Sequence, residues 1–374
     1  MTIPETQSLP NERGRSTAEL LSDTRTAYAP GNQTTSTILV AHSNSKVSRM
    51  TLRQTLLHML FLWICSEPAA AADPRPVQVY LLAGQSNMEG QGVVDLDHPQ
   101  YYNSGKGTLQ KLAETPALKE RYQHVRDSDG NWTVRDDVWC RYRTARELKR
   151  GPLSIGFAVY EGRHHIGPEF QFGHVIGDSS EAPVLLIKTA WGGKSLFADF
   201  RPPSSGGETG PYYKQMLDEI REALAAIPDE FPALADRPVQ ISGFVWFQGW
   251  NDAFGPQTAR EEYEQNLVNL ILDVRREFDV PELPVVIGEL GNDGDQANDQ
   301  IKAIRRAQAA AAARKELGNH VAFVPTTAFA RPANQSPNVT HGHHWYGNAE
   351  SYFLVGDALG KAMLKLQTAA RRAR

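Results

Sequence analysis

The chain has 374 residues, of which 41% are hydrophobic and 22% are charged, and its formal net charge at pH 7 is −4. This composition is ordinary for a soluble globular protein and allows one large domain or two small ones. Because the balance is mildly acidic and basic blocks are missing, the sequence gives no support for a nucleic-acid partner.

The N-terminal 73 residues do not read as part of a folded domain. Residues 1–49 are rich in Ser, Thr and Asn and lack a hydrophobic period, which predicts an extension that is disordered or precedes the true start. In residues 50–73, Arg53 precedes an apolar stretch that ends at Cys65, and small residues follow. This layout is typical of a signal peptide and is too short to span a bilayer stably. We therefore expect a secreted or periplasmic protein without stable membrane insertion.

Cleavage of the signal peptide would leave a single cysteine, Cys140. One cysteine forms no internal disulfide, so the mature chain must be stabilised by its core, and about 300 residues are enough for that.

Residues 74–374 are predicted to form one α/β domain. Five short segments are hydrophobic and rich in Val, Ile or Leu, as buried parallel strands are, and amphipathic helices separate them. This alternation predicts a parallel sheet with helices on both faces. The predicted strands are 77–84, 182–190, 239–249, 283–291 and 320–326, and the predicted helices are 210–227, 259–278, 299–318 with a stop at Gly318, and 348–366 with Asn348 as cap.

The segment 93–170 interrupts this alternation. It contains aromatic and charged residues but no single clean period, and a connection of this length is usually functional or an inserted subdomain. We expect the insertion to contribute a wall of the ligand pocket and a helix to begin near its end, at about 168–177.

Residues of reactive or polarising type follow four of the five predicted strands. In a parallel α/β sheet, ligands bind beyond the carboxyl ends of the strands, so these groups should meet along one edge. They are Gln85, Ser86 and Asn87 after the first strand; Trp191, Gly193 and Lys194 after the second; Gln248, Asn251 and Asp252 after the third; and Glu289 and Asn292 after the fourth.

This set contains what acyl transfer through a serine requires: a hydroxyl at a sharp turn, a base, and donors for the developing oxyanion. Ser86 supplies the hydroxyl. The main-chain N–H groups of Ser86 and Gly193 and the side-chain amide of Asn251 are candidate donors. Three histidines just before the last helix are candidate bases: His341, His343 and His344.

Four short blocks resemble those of the SGNH hydrolases: GQSN at 84–87, the glycine at 193, GWND at 249–252, and a histidine just before the C-terminal helix. The residues of these blocks are most similar to those of the carbohydrate-esterase branch, which includes sialate O-acetylesterases and acetylxylan esterases. The resemblance covers roughly residues 77 to 366. It implies a three-layer α/β/α flavodoxin-like fold with a central parallel sheet.

The same resemblance implies an activity. A member of this branch would remove O-acetyl groups from an oligo- or polysaccharide through an acyl-enzyme, with Ser86 as nucleophile and without a cofactor. The oxyanion hole would consist of the N–H groups of Ser86 and Gly193 together with Asn251. Gln85, Gln248 and Trp191, which stand at the same strand ends, are predicted to contact the substrate.

The acid of the triad departs from the family pattern. Many members carry an Asp three residues before the catalytic histidine, whereas the residue three before His344 is His341. Some carbohydrate-esterase relatives take the acid from a Glu after a later strand, and Glu289 resembles that position. We therefore predict a triad of Ser86, His344 and Glu289. His343 as the base, and a dyad in which a main-chain carbonyl orients the imidazole, remain alternatives.

These residues also allow other interpretations. Ser86 beside glycine could be a turn residue only, and Glu289 could be a structural carboxylate. The histidines could bind a metal, but no zinc-ligand pattern accompanies them, so no metal site is predicted. A carbohydrate-binding protein without catalysis, and a lipid esterase or thioesterase of the same fold, are the alternative functions.

Overall fold

The computed structural model describes residues 75–373, so the predicted N-terminal extension and signal peptide, residues 1–49 and 50–73, lie outside the described residues. Seven strands of the described chain form one sheet in the order β3-β2-β4-β1-β5-β6-β7, in which every neighbouring pair is parallel except β2 and β3. The strands are β1 (Val77–Gly84), β2 (Val138–Arg143), β3 (Leu148–Pro152), β4 (Val184–Ala190), β5 (Val239–Phe247), β6 (Val285–Gly288) and β7 (Val321–Val324).

The five strands predicted from the sequence are β1, β4, β5, β6 and β7. Taken in chain order, they lie in the sheet as second, first, third, fourth and fifth. This is the flavodoxin-like strand order, in which the chain changes direction across the sheet beside the first strand. The predicted fold class is confirmed. The order also places the loops after β1 and β5 next to each other, at the point where such folds bind ligands.

Helices cover both faces of the sheet. The helices are α1 (Ser86–Glu89), α2 (Leu109–Glu114), α3 (Lys119–Tyr122), α4 (Pro168–Asp178), α5 (Pro211–Ala225), α6 (Ile227–Glu230), α7 (Trp250–Ala253), α8 (Gln257–Glu277), α9 (Asp299–Ala312) and α10 (Ala349–Ala373). One core lies between the sheet and α5, α8 and α9, and a second lies between the sheet and α4 and α10.

The two cores follow from the period of two along a strand. In β1, Leu81 belongs to the core on the α5 side and Leu82 to the core on the α10 side, and both are fully buried. Successive side chains of a strand point to opposite faces, so a strand covered on both faces must be apolar throughout. This is why the five central strands stand out as continuous hydrophobic runs.

The insertion 93–170 extends the sheet, which was not predicted. Its strand β2 pairs parallel with β4, and β3 returns antiparallel as the edge strand. Strand β2 is not recognisable as a buried strand from the sequence, because it contains the charged residue Arg141. In the structure the side chain of Arg141 is nevertheless only 2% exposed. Arg141 is neutralised by Glu230 at 2.7 Å and Glu222 at 2.8 Å, so a charged residue occupies a position that is usually apolar.

A capping or stop residue was predicted for two helices. The Asn348 side chain accepts hydrogen bonds from the main-chain N–H groups of Glu350 and Ser351, which confirms it as the cap of α10. The prediction that the preceding α-helix continues to Gly318 is wrong, because α9 ends at Ala312, although a short 3-10 helix over Lys315–Leu317 does end at Gly318. The chain instead buries Leu317, whose carbonyl accepts a hydrogen bond from Arg275 at 2.9 Å.

No helix in residues 75–373 combines the length and the apolar character that a membrane span requires. Cys140 lies on β2, where it is buried and forms no disulfide with another described residue.

Candidate active site

Strand β1 ends at Gly84, and the next residues turn into the one-turn helix α1, which begins at Ser86. Ser86 is 8% exposed, and its Oγ makes no hydrogen bond within residues 75–373. Ser86 occupies the first position of the helix α1, where the main-chain N–H also has no intrahelical partner. A strand that turns directly into a helix presents the serine at the carboxyl edge of the sheet.

Gln85 connects the turn after β1 to the turn after β5. Its Nε2 donates to Oδ1 of Asn251 at 3.0 Å, and its Oε1 accepts from the main-chain N–H of Gly249 at 3.0 Å. The amide of Asn251 in turn donates to the carbonyl of Gly193 at 2.9 Å. One chain of hydrogen bonds thus fixes the three predicted oxyanion elements relative to one another.

The donors themselves remain available. The main-chain N–H groups of Ser86 and Gly193 have no acceptor in the described part of the chain. Gly193 has φ +74°, a conformation that side chains with a Cβ rarely adopt, and no atom lies within 4 Å of the position a Cβ would take. The loop is therefore open toward solvent at this residue. Asn251 retains a second N–H beyond the one that it donates to Gly193.

Asp252 holds the loop after β4 against the loop after β5. Its buried carboxylate accepts from the main-chain N–H groups of Leu196 and Phe197, both at 2.8 Å, and from the amide of Gln248 at 2.6 Å. Burial raises the pKa of the Asp252 carboxyl to about 6, although these three donors oppose the shift. The loop that carries Gly193 is thus anchored through one carboxylate.

Two of the predicted substrate contacts lie beneath the site. Gln248 is 2% exposed, donates to the carbonyl of Lys194 at 3.0 Å and accepts from the hydroxyl of Tyr263 at 3.0 Å. The ring of Trp191 packs against Phe200 and Tyr212, with centroids 5.9 and 5.4 Å away. Neither residue lines the cavity, whereas Gln85 does.

The histidines lie in the segment between β7 and α10. The imidazoles of His343 and His344 are adjacent, with centroids 4.1 Å apart, and both line the same cavity as Ser86. Burial lowers the pKa of His344 to about 4, and the neighbouring His343 and His341 contribute to the shift. His344 is therefore neutral at pH 7, which is the state that a general base requires. In the described residues, no group of three His, Cys, Asp or Glu could hold a metal ion.

Three buried side chains hold this segment through its main chain, and we call them the main-chain clamp: Asn87, Asn292 and Tyr352. The amides of Asn87 and Asn292 each donate to the carbonyl of His343 at 3.1 Å. The hydroxyl of Tyr352 lies 2.7 Å from Oδ1 of Asn87 and 3.2 Å from the carbonyl of His344. All three residues are at most 3% exposed.

The clamp acts on a strained backbone. Trp345 and Tyr346, directly after His344, have φ of 52° and 54°, the left-handed region that bulky residues avoid. Such conformations persist only where the surrounding contacts impose them, and they concentrate at functional sites. Asn292 was predicted only as a residue at a strand end, because no sequence pattern reveals that two side-chain amides share one main-chain carbonyl.

Glu289 is engaged elsewhere. Its Oε2 accepts from the main-chain N–H groups of Thr326 at 2.7 Å and Thr327 at 2.9 Å, and from the hydroxyl of Thr327 at 2.8 Å. It therefore binds the turn after β7. Over residues 75–373, neither His343 nor His344 has a carboxylate within hydrogen-bond distance of its ring. The structure brings Ser86 and His344 to one cavity, and it engages the predicted acid with another loop.

The cavity has a volume of about 470 Å³. Tyr160, from the insertion, donates to Gln91 at 2.6 Å, and Gln91 donates to the carbonyl of Ser86 at 3.2 Å, so the insertion reaches the turn after β1. Twelve residues line the cavity: Gln85, Ser86, Glu89, Gln91, Val159, Tyr160, Gly192, Gly193, Trp250, Asn251, His343 and His344.

The sequence analysis missed Glu89 as a lining residue. A signal was present, because Glu89 follows Ser86 by three residues and residues three apart share one face of a helix. Tyr160 had no comparable signal, since nothing in the sequence of the insertion shows which of its aromatic residues turns toward the sheet edge.

A family model described as "Carbohydrate esterase, sialic acid-specific acetylesterase" matches residues 76–365. No curated protein sequence matches the chain.

Several solved structures are similar to the chain. A protein from Arabidopsis thaliana is 18% identical, with a TM-score of 0.49 over 78% of this chain and 98% of that chain. NanS is 13% identical, with a TM-score of 0.48 over 79% of this chain and 99% of that chain. A carbohydrate acetylesterase from Xanthomonas citri is 15% identical, with a TM-score of 0.43 over 76% of this chain and 56% of that chain.

Proposed function

The chain belongs to the carbohydrate esterases of the sialic acid-specific acetylesterase family, and we propose that it is a serine esterase that removes O-acetyl groups from an oligo- or polysaccharide. One observation carries this proposal. Ser86, the neutral imidazole of His344 and the unoccupied donors of the Gly193 loop all border one cavity. These are the three requirements of acyl transfer through a serine.

In the first half of the reaction, His344 takes the proton of Ser86 as Oγ attacks the acetyl carbonyl carbon. The carbonyl π electrons move to the oxygen, and the N–H groups of Ser86 and Gly193 and the amide of Asn251 stabilise the resulting oxyanion. Collapse of the tetrahedral intermediate breaks the bond to the sugar oxygen. That oxygen receives the proton from His344 and leaves as a hydroxyl, and the acetyl group remains on Ser86.

In the second half, water replaces the sugar. His344 takes a proton from the water as its oxygen attacks the acetyl-serine, and the same donors stabilise the second oxyanion. The second intermediate collapses, Ser86 recovers its proton from His344, and acetic acid leaves and loses its remaining proton to solvent as acetate. The hydrogen bond between Ser86 and His344 has to form when substrate binds, as is common for catalytic hydrogen bonds that are long in ligand-free sites.

For the orientation of the base, we propose a Ser86–His344 dyad supported by the main-chain clamp. The contacts of Glu289 with Thr326 and Thr327 favour the dyad over the triad, because three donors of a neighbouring turn hold one oxygen of the carboxylate, Oε2, and neither His343 nor His344 contacts Glu289 in the described residues. In serine hydrolases the acid holds the imidazole in one orientation. Here the contacts of Asn87, Asn292 and Tyr352 fix the main chain that carries it. The triad with Glu289 remains a prediction that mutation can test.

We also propose that the protein is exported. The support is the pattern of residues 50–73, in which a basic start, a short apolar stretch and small residues follow one another. An acetylated polysaccharide outside the cell would then be accessible to the enzyme. Mass spectrometry of the N terminus of the protein recovered from medium or periplasm tests this, and an uncleaved chain confined to the cytosol would contradict it.

Acetate release from an O-acetylated oligosaccharide tests the function directly. We expect release by the wild-type protein and none by Ser86→Ala at equal protein concentration. A parallel series of p-nitrophenyl acetate and p-nitrophenyl octanoate should favour the acetate, because the lining residues near Ser86 are mostly polar. Preference for octanoate would indicate a lipid esterase or thioesterase, and sugar binding without turnover would indicate a carbohydrate-binding protein.

A further inference from the structure

The charge of the cavity is one-sided. Among its lining residues, Glu89 is the one carboxylate, and no Lys or Arg of the described chain lines it. Enzymes that recognise a substrate carboxylate generally present a cation to it, most often Arg, whose planar fork matches the two oxygens. The described part of this site has no such group.

Glu89 stands beside the nucleophile. A Cβ on Gly192 would lie 3.0 Å from Oε2 of Glu89 and 3.6 Å from Cβ of Ser86, so the carboxylate and the serine flank the same glycine. The carboxylate therefore lies at the cavity wall beside the candidate nucleophile. Burial raises the pKa of Glu89, while Gly192 and Lys188 oppose the shift.

The lysines on the neighbouring segments are already engaged. Lys188 is completely buried and binds Glu169 at 2.8 Å and the carbonyls of Glu89 and Phe157 at 2.7 and 2.6 Å, which uses all three of its donors. Lys194 pairs with Asp199 at 3.7 Å. Neither is placed to neutralise a carboxylate that enters the cavity from solvent.

The remaining lining suits an uncharged sugar. Tyr160 and Trp250 offer aromatic surface on which the apolar face of a pyranose can pack. Tyr160 is 45% exposed, so its ring is accessible. An ionised Glu89 can accept a hydrogen bond from a sugar hydroxyl, whereas a second carboxylate beside it would be repelled.

We propose that this site is specific for neutral O-acetylated sugars and that Glu89 discriminates against sugars that carry a carboxylate near the acetyl group. The proposal rests on the proposed esterase function and deepens it. It also separates this chain from the acidic sugar that the family description names.

A matched pair of substrates tests the proposal: an O-acetylated sialic acid as the free acid and the same compound as its methyl ester. The two differ in one charge. Acetate release is followed at about pH 8, well above the ordinary pKa of a carboxyl group. We expect kcat/KM for the methyl ester to exceed that for the free acid on the order of ten-fold, as for like charges several ångströms apart. An equal or lower value for the methyl ester overturns the proposal.

The Glu89→Gln variant removes the charge and keeps the shape. In this variant we expect the ratio of kcat/KM for the methyl ester to kcat/KM for the free acid to fall to about two or less, chiefly because kcat/KM for the free acid rises. Glu120→Gln, an exposed residue of α3 outside the cavity, is the matched control and should leave the ratio unchanged. A ratio that Glu89→Gln does not alter would overturn the role of Glu89.

If Glu89→Gln does not fold, the wild-type ratio is measured at increasing ionic strength instead, because salt screens repulsion between partly exposed charges. A ratio that falls with salt supports the proposal, and a constant ratio contradicts it. The esterase function and the neutral-sugar specificity can be refuted independently of each other. Failure to hydrolyse p-nitrophenyl acetate and an O-acetylated neutral glycoside would refute the esterase function, whereas turnover of both with preference for the free acid would refute only the neutral-sugar specificity.

Discussion

The side-chain amide of Asn87 donates to the main-chain carbonyl of His343 across 3.1 Å, so the residue directly after the candidate nucleophile holds the segment that carries the candidate base. Asn292 donates to the same carbonyl from the loop after β6. Two strand ends thereby fix one histidine segment, although that segment lies at the other end of the chain in sequence. The relative position of Ser86 and His344 is built into the main chain of the fold.

Tyr352→Phe tests the main-chain clamp. The change removes one hydroxyl, and with it the hydrogen bonds to Asn87 and to the carbonyl of His344. We expect kcat to fall roughly five- to ten-fold while KM changes little, because each buried hydrogen bond contributes about 1 kcal/mol and the loss acts on the base. Steady-state kinetics with p-nitrophenyl acetate measure both parameters.

Tyr122→Phe is the matched control for that variant. Tyr122 is 1% exposed, and its hydroxyl has no hydrogen-bond partner among residues 75–373. The same chemical change should therefore leave kcat as in the wild type. Equal kcat for Tyr352→Phe and Tyr122→Phe, with both variants folded by circular dichroism, would show that the clamp has no role in turnover.

Glu289→Gln separates the dyad from the triad. Gln keeps an acceptor oxygen for the turn at Thr326 and Thr327 but removes the charge that a triad requires. We expect kcat/KM within about three-fold of the wild-type value, and a much larger loss for His344→Ala, which removes the base. A loss for Glu289→Gln that matches the loss for His344→Ala would restore Glu289 as the third member of a triad.

The dependence of kcat/KM on pH should show its acidic decline at an unusually low pH. The pKa of His344 is lowered to about 4 by burial and by His343 and His341, so the imidazole stays unprotonated far below its ordinary range. Because kcat/KM reports the protonation of the free enzyme, we expect it to be constant from pH 8 to about 5.5 and to fall toward half near pH 4. Rapid assays with an ester that does not itself titrate give this profile.

His343→Asn extends the same measurement. It removes one of the neighbours that lower the pKa of His344, so the acid limb should move to higher pH while activity is retained. Loss of activity in His343→Asn with retention in His344→Asn would assign the base to His343. A limb near 6.5 in the wild type would contradict the described environment of His344.

A buried histidine outside the site makes stability depend on pH. Burial, aided by His124 and Arg135, lowers the pKa of His174 to about 3. Between about pH 6.5 and 3 the unfolded chain binds a proton that the folded chain excludes, so stability is complete above this window and is lost as the pH falls through it. Each such histidine contributes a slope of up to about 1.4 kcal/mol per pH unit.

His174→Gln should therefore flatten the dependence of the free energy of unfolding on pH, measured by denaturant titration between pH 4 and 7. The control is His98→Gln, on the exposed surface, which should leave the slope unchanged. An unchanged slope in His174→Gln would show that this imidazole takes up its proton in the folded state.

The central sheet was predictable because its strands are covered on both faces. Leu81 and Leu82 are buried in different cores, so both faces of the strand are apolar. Such a strand appears in the sequence as an unbroken hydrophobic run. Strand β2 was not predictable, because the burial of Arg141 depends on Glu222 and Glu230, which stand about 80 to 90 residues further along the chain. Local sequence does not record a partner at that distance.

The candidate site was predictable to the extent that it follows from strand ends. Ser86, Gly193 and Asn251 meet because β1, β4 and β5 are neighbours in the sheet. The directions of side chains were not predictable. Trp191 follows the same strand as Gly193 but turns into the core, and Glu289 follows β6 but binds the turn after β7. A strand end fixes where a residue starts, and packing decides where its side chain goes.

The most direct test of the account is the identity of the residue that carries the acyl group. The full-length protein is treated with a serine-directed phosphonate, digested, and mapped by mass spectrometry, and Ser86→Ala is treated in parallel. We predict a single modified peptide that contains Ser86, complete loss of p-nitrophenyl acetate turnover on modification, and neither label nor turnover in Ser86→Ala. Wild-type turnover by a folded Ser86→Ala protein would contradict the account.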